Sequence, residues 1–252
     1  MDNNLNKKVS VNICTYNNAQ FLPQAIDSVL NQNYKEIEII IVDDCSTDNT
    51  SEILREYSEK NSRIKVHRNP QNLGINKSRN KALSLSTGDY IAVLDSDDYW
   101  IEKDKLVKQI GFLESNPKFA VVGTFAKIVD RDGSDISQII GETNSEKIYQ
   151  FMLMKNPIVH SSAMFRRSSL NSGYSEKYNI WEDYAAMLEI GLTSKITNLP
   201  FFGVSYRKHQ KNISKKNKIK NVVTYQKIIN NYRKKYPHFF LATIKNILRV
   251  LI

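Results

Sequence analysis

The chain has 252 residues, 36 Lys and Arg against 26 Asp and Glu, a formal net charge of +10, and 41% hydrophobic residues. That length and composition exclude a peptide, a fibre or a wholly disordered chain, and allow one large folded domain with a tail. The charge is uneven: residues 1–189 hold all 26 acids and 22 basic residues, a net of −4, whereas residues 190–252 hold 14 basic residues and no acid. A basic tail on a mildly acidic body calls for a polyanionic partner: a phosphorylated ligand, an anionic membrane or a nucleic acid.

The first strand signal is Val9 to Cys14, which alternates apolar and polar side chains. A polar turn follows, then a helix over 21–30 with Leu22, Ile26, Val29 and Leu30 at helical spacing, and a β-branched strand over 36–42 that ends at Asp43-Asp44. The pattern continues with a helix over 49–60, a strand over 64–67, a helix over 75–85 and a strand over 90–94. Such alternation predicts βαβ units: an α/β protein with a single Rossmann-like, mostly parallel sheet and helices on both faces.

Past Asp98 the rhythm loosens. A helix over 103–114 leads to a strand over 119–129 and a turn at Arg131-Asp132-Gly133, with helical signals at 146–154 and 184–192 and strand-like runs at 163–166 and 201–206. From Lys211 onward the chain reads as basic helices broken at Pro237. No signal peptide or transmembrane segment is expected, since Met1 to Lys8 is polar and no run reaches the ~18–20 apolar residues of a spanning helix. Two cysteines, Cys14 and Cys45, fit reduced thiols in a cytosolic compartment and are not expected to hold metal.

Open parallel sheets bind ligands at the carboxyl ends of their strands. Three polar clusters fall there: Thr15-Tyr16-Asn17, Asp43-Asp44-Cys45-Ser46 and Asp95-Ser96-Asp97-Asp98. Asp95 and Asp97, two apart, project the same way from extended backbone and offer hard oxygen ligands to Mn²⁺ or Mg²⁺; the bland alternative makes them loop residues, with Asp98 capping the helix that starts near Lys103. None of the nine glycines forms a G-x-G-x-x-G after the first strand, and no G-x-x-x-x-G-K-[ST] occurs, so dinucleotide and P-loop readings lose support.

The run from Val9 to Thr50, with Val-Ser-Val-Asn-Ile-Cys-Thr-Tyr-Asn-Asn and Ile41-Val42-Asp43-Asp44-Cys45-Ser46-Thr47-Asp48, resembles the opening of family 2 glycosyltransferases of the GT-A fold. Asn72-Leu73-Gly74, Ser78-Arg79-Asn80, Thr87-Gly88-Asp89-Tyr90, Leu94 to Asp98, Trp181-Glu182-Asp183-Tyr184 and Tyr206-Arg207-Lys208-His209 followed by Ser214 continue the likeness in order. The resemblance implies a catalytic domain over 1–210, with a nucleotide-binding half to about residue 98 and an acceptor-side half from about 99, and a basic helical segment over 211–252. It also implies roles. Tyr16, between Thr15 and Asn17, would stack on the nucleotide base, Asp44 would accept a hydrogen bond from uracil, and Arg79 would lie near base or diphosphate. Asp95 would contact ribose or metal, Asp97 and His209 would hold the metal, and Asp183 would be the general base.

The expected reaction is inverting transfer of a sugar from a UDP-sugar donor to a hydroxyl of a lipid-linked or polysaccharide acceptor. Transfer to a polyprenyl phosphate and a non-catalytic membrane- or nucleic-acid-binding protein are the alternatives. His160 reads as a core histidine or as part of the acceptor pocket. In the tail, Leu241, Ile244, Ile247, Leu248 and Leu251 recur at helical spacing with Lys245 and Arg249 between them. That pattern suits a helix lying on an anionic membrane surface, giving a peripheral protein at the inner face of the cell membrane, or a helix docked on the catalytic domain. Nucleic acid is not expected, as the tail has no aromatic-basic interleaving.

Overall fold

The structure, a computed structural model, describes residues 7–178, 180–209 and 218–251. The first half alternates as the periodicity predicts: β1 (Val9–Thr15), α1 (Leu22–Leu30), β2 (Ile37–Asp43), α2 (Thr50–Lys60), β3 (Ile64–Arg68), α3 (Ile75–Leu85) and β4 (Tyr90–Asp95). The second half comprises β5 (Tyr99–Trp100), α4 (Lys105–Ser115), β6 (Phe119–Val129), β7 (Asp135–Ile139), α5 (Ser145–Phe151), β8 (Met164–Arg166), α6 (Glu182–Ile190) and β9 (Lys195–Arg207). Two C-terminal helices follow, α7 (Lys218–Tyr232) and α8 (Phe239–Leu251). Ser214 and the lysines of 211–217 lie outside the described residues.

The nine strands of the described residues form one sheet in the order β3-β2-β1-β4-β8-β6-β9-β5, with β7 on β6. The strands β3, β2, β1 and β4 are mutually parallel, and so are β6 and β9, whereas β8, β5 and β7 join antiparallel. Strand alternation covers both faces. Val9, Val11 and Ile13 of β1 pack with Leu22 and Ile26 of α1 and Leu106 and Ile110 of α4, while Ile91 and Val93 of β4 face a second core built by α5, α6 and α7. Residues buried on both faces explain why β2 reads as a near-continuous apolar run.

The chain passes from β1 outward to β2 and β3, then returns to lay β4 on the other side of β1. The reversal puts the ends of β1, β2 and β4 side by side: Thr15 opposite Asp43, and Cys14 opposite Asp95. This is the switch point at which a crevice opens in such sheets.

Three sequence expectations need correction. Asp98 is not a helix cap, because α4 starts at Lys105 after Asp104, and the Asp98 carboxylate instead accepts from the Arg207 N–H and the Ser161 hydroxyl. The last strand begins at Lys195, six residues before the predicted run, and Pro200 coincides with a register shift against β6 that interrupts its alternation. Strand β7 left no sequence signal because its residues are all exposed, so no apolar alternation marks it.

Candidate active site

Tyr16 projects from the end of β1 at 47% exposure, ahead of Asn17, whose φ of 52° turns the chain sharply there. That turn is pinned from both sides: the Asn17 N–H donates to Ser46 Oγ at 2.9 Å, and Asn17 Oδ1 accepts from the Thr47 N–H at 2.7 Å. An exposed ring on a fixed turn is a platform for a planar ligand. Thr15 beneath it is buried, and its hydroxyl has no partner among the described residues.

Asp44 is buried at the end of β2 and its carboxylate is heavily engaged. Oδ1 accepts from the Leu73 N–H and from Asn69 Nδ2, and Oδ2 accepts from the Gly74 N–H at 2.8 Å. Gly74 sits at φ 88°, a conformation that disfavours a side chain, and so allows its N–H to meet Asp44 as α3 starts. Asp44 therefore holds the 69–74 loop as well as bordering the crevice.

Arg79 lies on the buried side of α3 between two carboxylates. Its Nη2 donates to Asp95 Oδ1 at 2.7 Å, and its Nη1 donates to Glu182. Burial would lower the guanidinium pKa, but Asp95 and Glu182 outweigh it and keep the group charged. Burial would likewise raise the Asp95 carboxyl, yet Arg79 and then His160 hold it well below the usual carboxylate range. The Glu182 carboxyl moves the other way, raised by burial and by adjacent Asp183 against the pull of Arg79. One guanidinium thus ties the end of β4 to the start of α6.

Asp183 occupies the first turn of α6, where the helix dipole favours a carboxylate. Asn156 Nδ2 donates to its Oδ2 at 2.8 Å. The preceding Trp181 has φ 65°, a left-handed conformation rare for a bulky residue, and such strain gathers at functional sites. Its indole is braced edge-on by Tyr225 of α7 at 5.4 Å, while Tyr225 itself stacks on Tyr184 at 4.9 Å.

Asp97 and His209, 112 residues apart in sequence, meet: His209 Nε2 lies 2.8 Å from Asp97 Oδ2. The His209 ring leans on Phe21 at 5.1 Å. Arg207 supports both, donating through Nε to the Asp97 carbonyl at 2.9 Å and stacking its guanidinium over Phe21 and Tyr99. The Asp97 carboxylate is a hard oxygen donor of the kind Mn²⁺ or Mg²⁺ takes, with the His209 imidazole beside it. Among the described residues no group of three or more His, Cys, Asp or Glu is spaced to hold an ion unaided.

His160 is buried, as its core reading expects: its Nε2 is 3.1 Å from the Tyr174 hydroxyl, and its Nδ1 lies 3.8 Å from Asp95 Oδ1. Residues whose organising role sequence reasoning missed are Ser161, Asn156 and Arg207, together with Asp98, which it offered only as a helix cap. The signals for them were weak, namely the third carboxylate of Asp95 to Asp98 and the basic residue two before His209. Two clefts of about 460 and 430 Å³ lie at the amino ends of β6 and β9, around Lys118, Lys195 and Arg166, away from these residues. The chemistry-bearing side chains gather instead at the open crevice, and we assign the site there.

The sequence profile described as glycosyl transferase family 2 matches residues 10–173. The chain belongs to glycosyl transferase family 2. It is 32% identical over 217 residues to an uncharacterized glycosyltransferase of Haemophilus influenzae, covering 80% of this chain and 65% of that protein. It is 34% identical over 235 residues to the Escherichia coli protein named UDP-Glc:alpha-D-GlcNAc-diphosphoundecaprenol beta-1,3-glucosyltransferase WfaP, covering 91% and 88%. For the first of the similar relatives the chain spans a little under two thirds of their length, 62–65%. In fold it resembles S. aureus TarS 1-349 in complex with UDP-GlcNAc, with a TM-score of 0.74 at 21% identity over 96% of this chain and 72% of that one. The mannosyltransferase PcManGT from Pyrobaculum calidifontis in complex with GDP-Man and Mn²⁺ gives 0.71 at 18% identity over 97% and 74%. The expected GT-A α/β fold is the fold found.

Proposed function

We propose that this family 2 protein is a metal-dependent inverting glycosyltransferase that moves a sugar from a UDP-sugar to a hydroxyl of a lipid-linked or polysaccharide acceptor. The observation that carries the reading is the Arg79 bridge from Asp95 to Glu182, which keeps the base-bearing turn of α6 beside the strand end that would bind the donor. Tyr16 would stack on the base, with Thr15 and Asn17 shaping the turn beneath. For Asp44 the reading requires the uracil N–H to add a hydrogen bond to a carboxylate that already accepts three.

Asn156 orients Asp183 through Oδ2, and the Asp183 carboxylate takes the proton from the acceptor hydroxyl. As the acceptor oxygen bonds to the anomeric carbon, the bond from that carbon to the diphosphate oxygen breaks on the opposite face, and UDP leaves with the electron pair. Mn²⁺ or Mg²⁺ held by Asp97 and His209 would neutralise the charge gathering on the diphosphate. The WfaP name, with its UDP-glucose donor and its saccharide on a diphosphate-linked polyprenol, supports a UDP donor and a lipid-linked acceptor for this chain. No described helix is long and apolar enough to cross a membrane. A peripheral position at the inner face of the cell membrane, on an anionic surface, suits such an acceptor and the basic tail.

The test is a screen of UDP-sugars with Mn²⁺ and a membrane extract as acceptor, run on the natural chain and on Asp97→Ala. Metal-dependent transfer that falls by about 10²-fold or more in the variant supports the assignment. Undiminished turnover of Asp97→Ala would remove the metal site from the proposal.

A further inference from the structure

The C-terminal hairpin has two unlike sides. α7 turns Tyr225, Ile228 and Ile229 into the second core. α8 lies on α7 through Ala242 and Asn246, and the Asn246 amide donates to the Val222 carbonyl at 2.9 Å and to Gln226 Oε1 at 3.1 Å. The other side of α8 carries Phe240, Leu241, Ile244, Ile247 and Leu248, each 48–81% exposed, and Ile219 and Val223 of α7 are exposed as well. Positions i, i+1, i+4, i+7 and i+8 form one stripe of a helix. A contiguous stripe of five large apolar side chains marks an interaction surface.

We infer that this stripe binds an anionic lipid surface, with α8 lying in the plane of the bilayer interface. Three observations select that occupant. Residues 218–251 carry eight Lys and Arg and no Asp or Glu, so a second copy packed on the same stripe would bring basic residues together without an acid from either helix. A layer of anionic headgroups supplies charge of the opposite sign, and the acyl boundary beneath it takes the apolar stripe. Ala242 and Asn246 face α7 while the apolar stripe faces away, and a helix that is apolar on one side only lies along an interface.

The surface is tied to the site. Tyr225 of α7 stacks on Tyr184 and braces Trp181, the residue before Glu182-Asp183, so a docked hairpin would hold the base-bearing helix in a fixed relation to the lipid plane. The inference deepens the membrane reading of the proposed function but needs neither donor, metal nor transfer for its test.

The experiment is co-sedimentation of the full chain with vesicles of phosphatidylglycerol mixed with phosphatidylcholine, and of phosphatidylcholine alone, without donor or metal. Wild-type protein should bind the anionic vesicles at least about tenfold more tightly than Ile244→Ser/Leu248→Ser, and more tightly than it binds the neutral ones, with salt weakening the difference. Lys234→Glu/Lys245→Glu, which leaves the stripe intact, should lose affinity for anionic vesicles only. Unchanged UDP binding and melting temperature in both variants establish that they fold, and a failure of transfer with intact vesicle binding would indict the enzymatic reading alone. Equal binding by wild type and the apolar variant overturns the inference, as does a dimer in sedimentation that the apolar variant abolishes without any vesicle binding.

Discussion

Two regions of the protein use buried charge differently. At the start of the parallel strands the buried carboxylate Glu38 on β2 is bonded to Ser10, Lys8, Lys65 and Thr87, while Tyr16 and Asp44 lie at the far ends of the same strands. Six residue steps of strand separate the two sets, roughly 20 Å. Around Arg79 there is no such separation. Arg79, Glu182 and Asp98 are buried and Asp95 is partly buried at the site itself, and the same bonds that tie β4 to α3 and α6 hold the site in place. Stability and function can therefore be removed independently in the first region and only together in the second.

Asp183→Asn gives the largest expected effect on function. It keeps the hydrogen-bonding shape beside Asn156 but cannot accept the hydroxyl proton, so transfer should fall by about 10³-fold while UDP binding and melting temperature stay unchanged. Measured donor affinity lost together with turnover would show that Asp183 serves the nucleotide side, and would blur the division between halves.

Arg79→Met comes next and tests the coupling directly. Removing the cation leaves the buried Glu182 and the partly buried Asp95 without it, which should cost about 3 kcal/mol of stability as well as transfer. Adding Glu182→Leu should restore part of the stability in thermal unfolding but none of the lost transfer. If the double variant regained activity, Arg79 would be no more than a counter-ion.

This contrast also explains what could be read from the sequence. The first seven elements were legible because β1, β2 and β4 are buried on both faces and end in polar residues, so that period, length and motif coincide, as in Ile37–Asp43. The polar clusters at the ends of β1, β2 and β4 followed from the same logic. The links Asp98 to Arg207 and Arg79 to Glu182 join residues more than 100 positions apart, and no local spacing announces them. The basic tail reads as helices broken at Pro237, and the spacing of the last one already marks its apolar stripe; what the sequence did not show is that the first described helix belongs to the core. Charge and periodicity gave no means of seeing that, since Tyr225 and Ile228 are distinguished from Ile219 and Val223 only by what they meet in the folded chain.

Glu38→Gln gives the smallest effect and the sharpest test of separation. Burial would raise this carboxyl, but hydrogen bonds from Lys65, Ser10, Thr87 and Lys8 hold it well below the usual carboxylate range. A carboxylate whose folded-state pKa is depressed contributes stability that is fully present above its unfolded value of about 4.3 and is lost as pH falls toward the folded value. The glutamine variant loses that contribution, about 1–2 kcal/mol at pH 7, of which the half-exposed lysines supply little. Melting curves of the two proteins should therefore differ at pH 7 and converge as the pH drops below about 4. UDP affinity at pH 7 should be the same for both, because the bonds of Glu38 lie at the opposite end of the strands from Tyr16 and Asp44. A variant that lost donor affinity in proportion to its stability would mean that the parallel strands transmit strain from Glu38 as the site itself does through Arg79, and the contrast between the two regions would not stand.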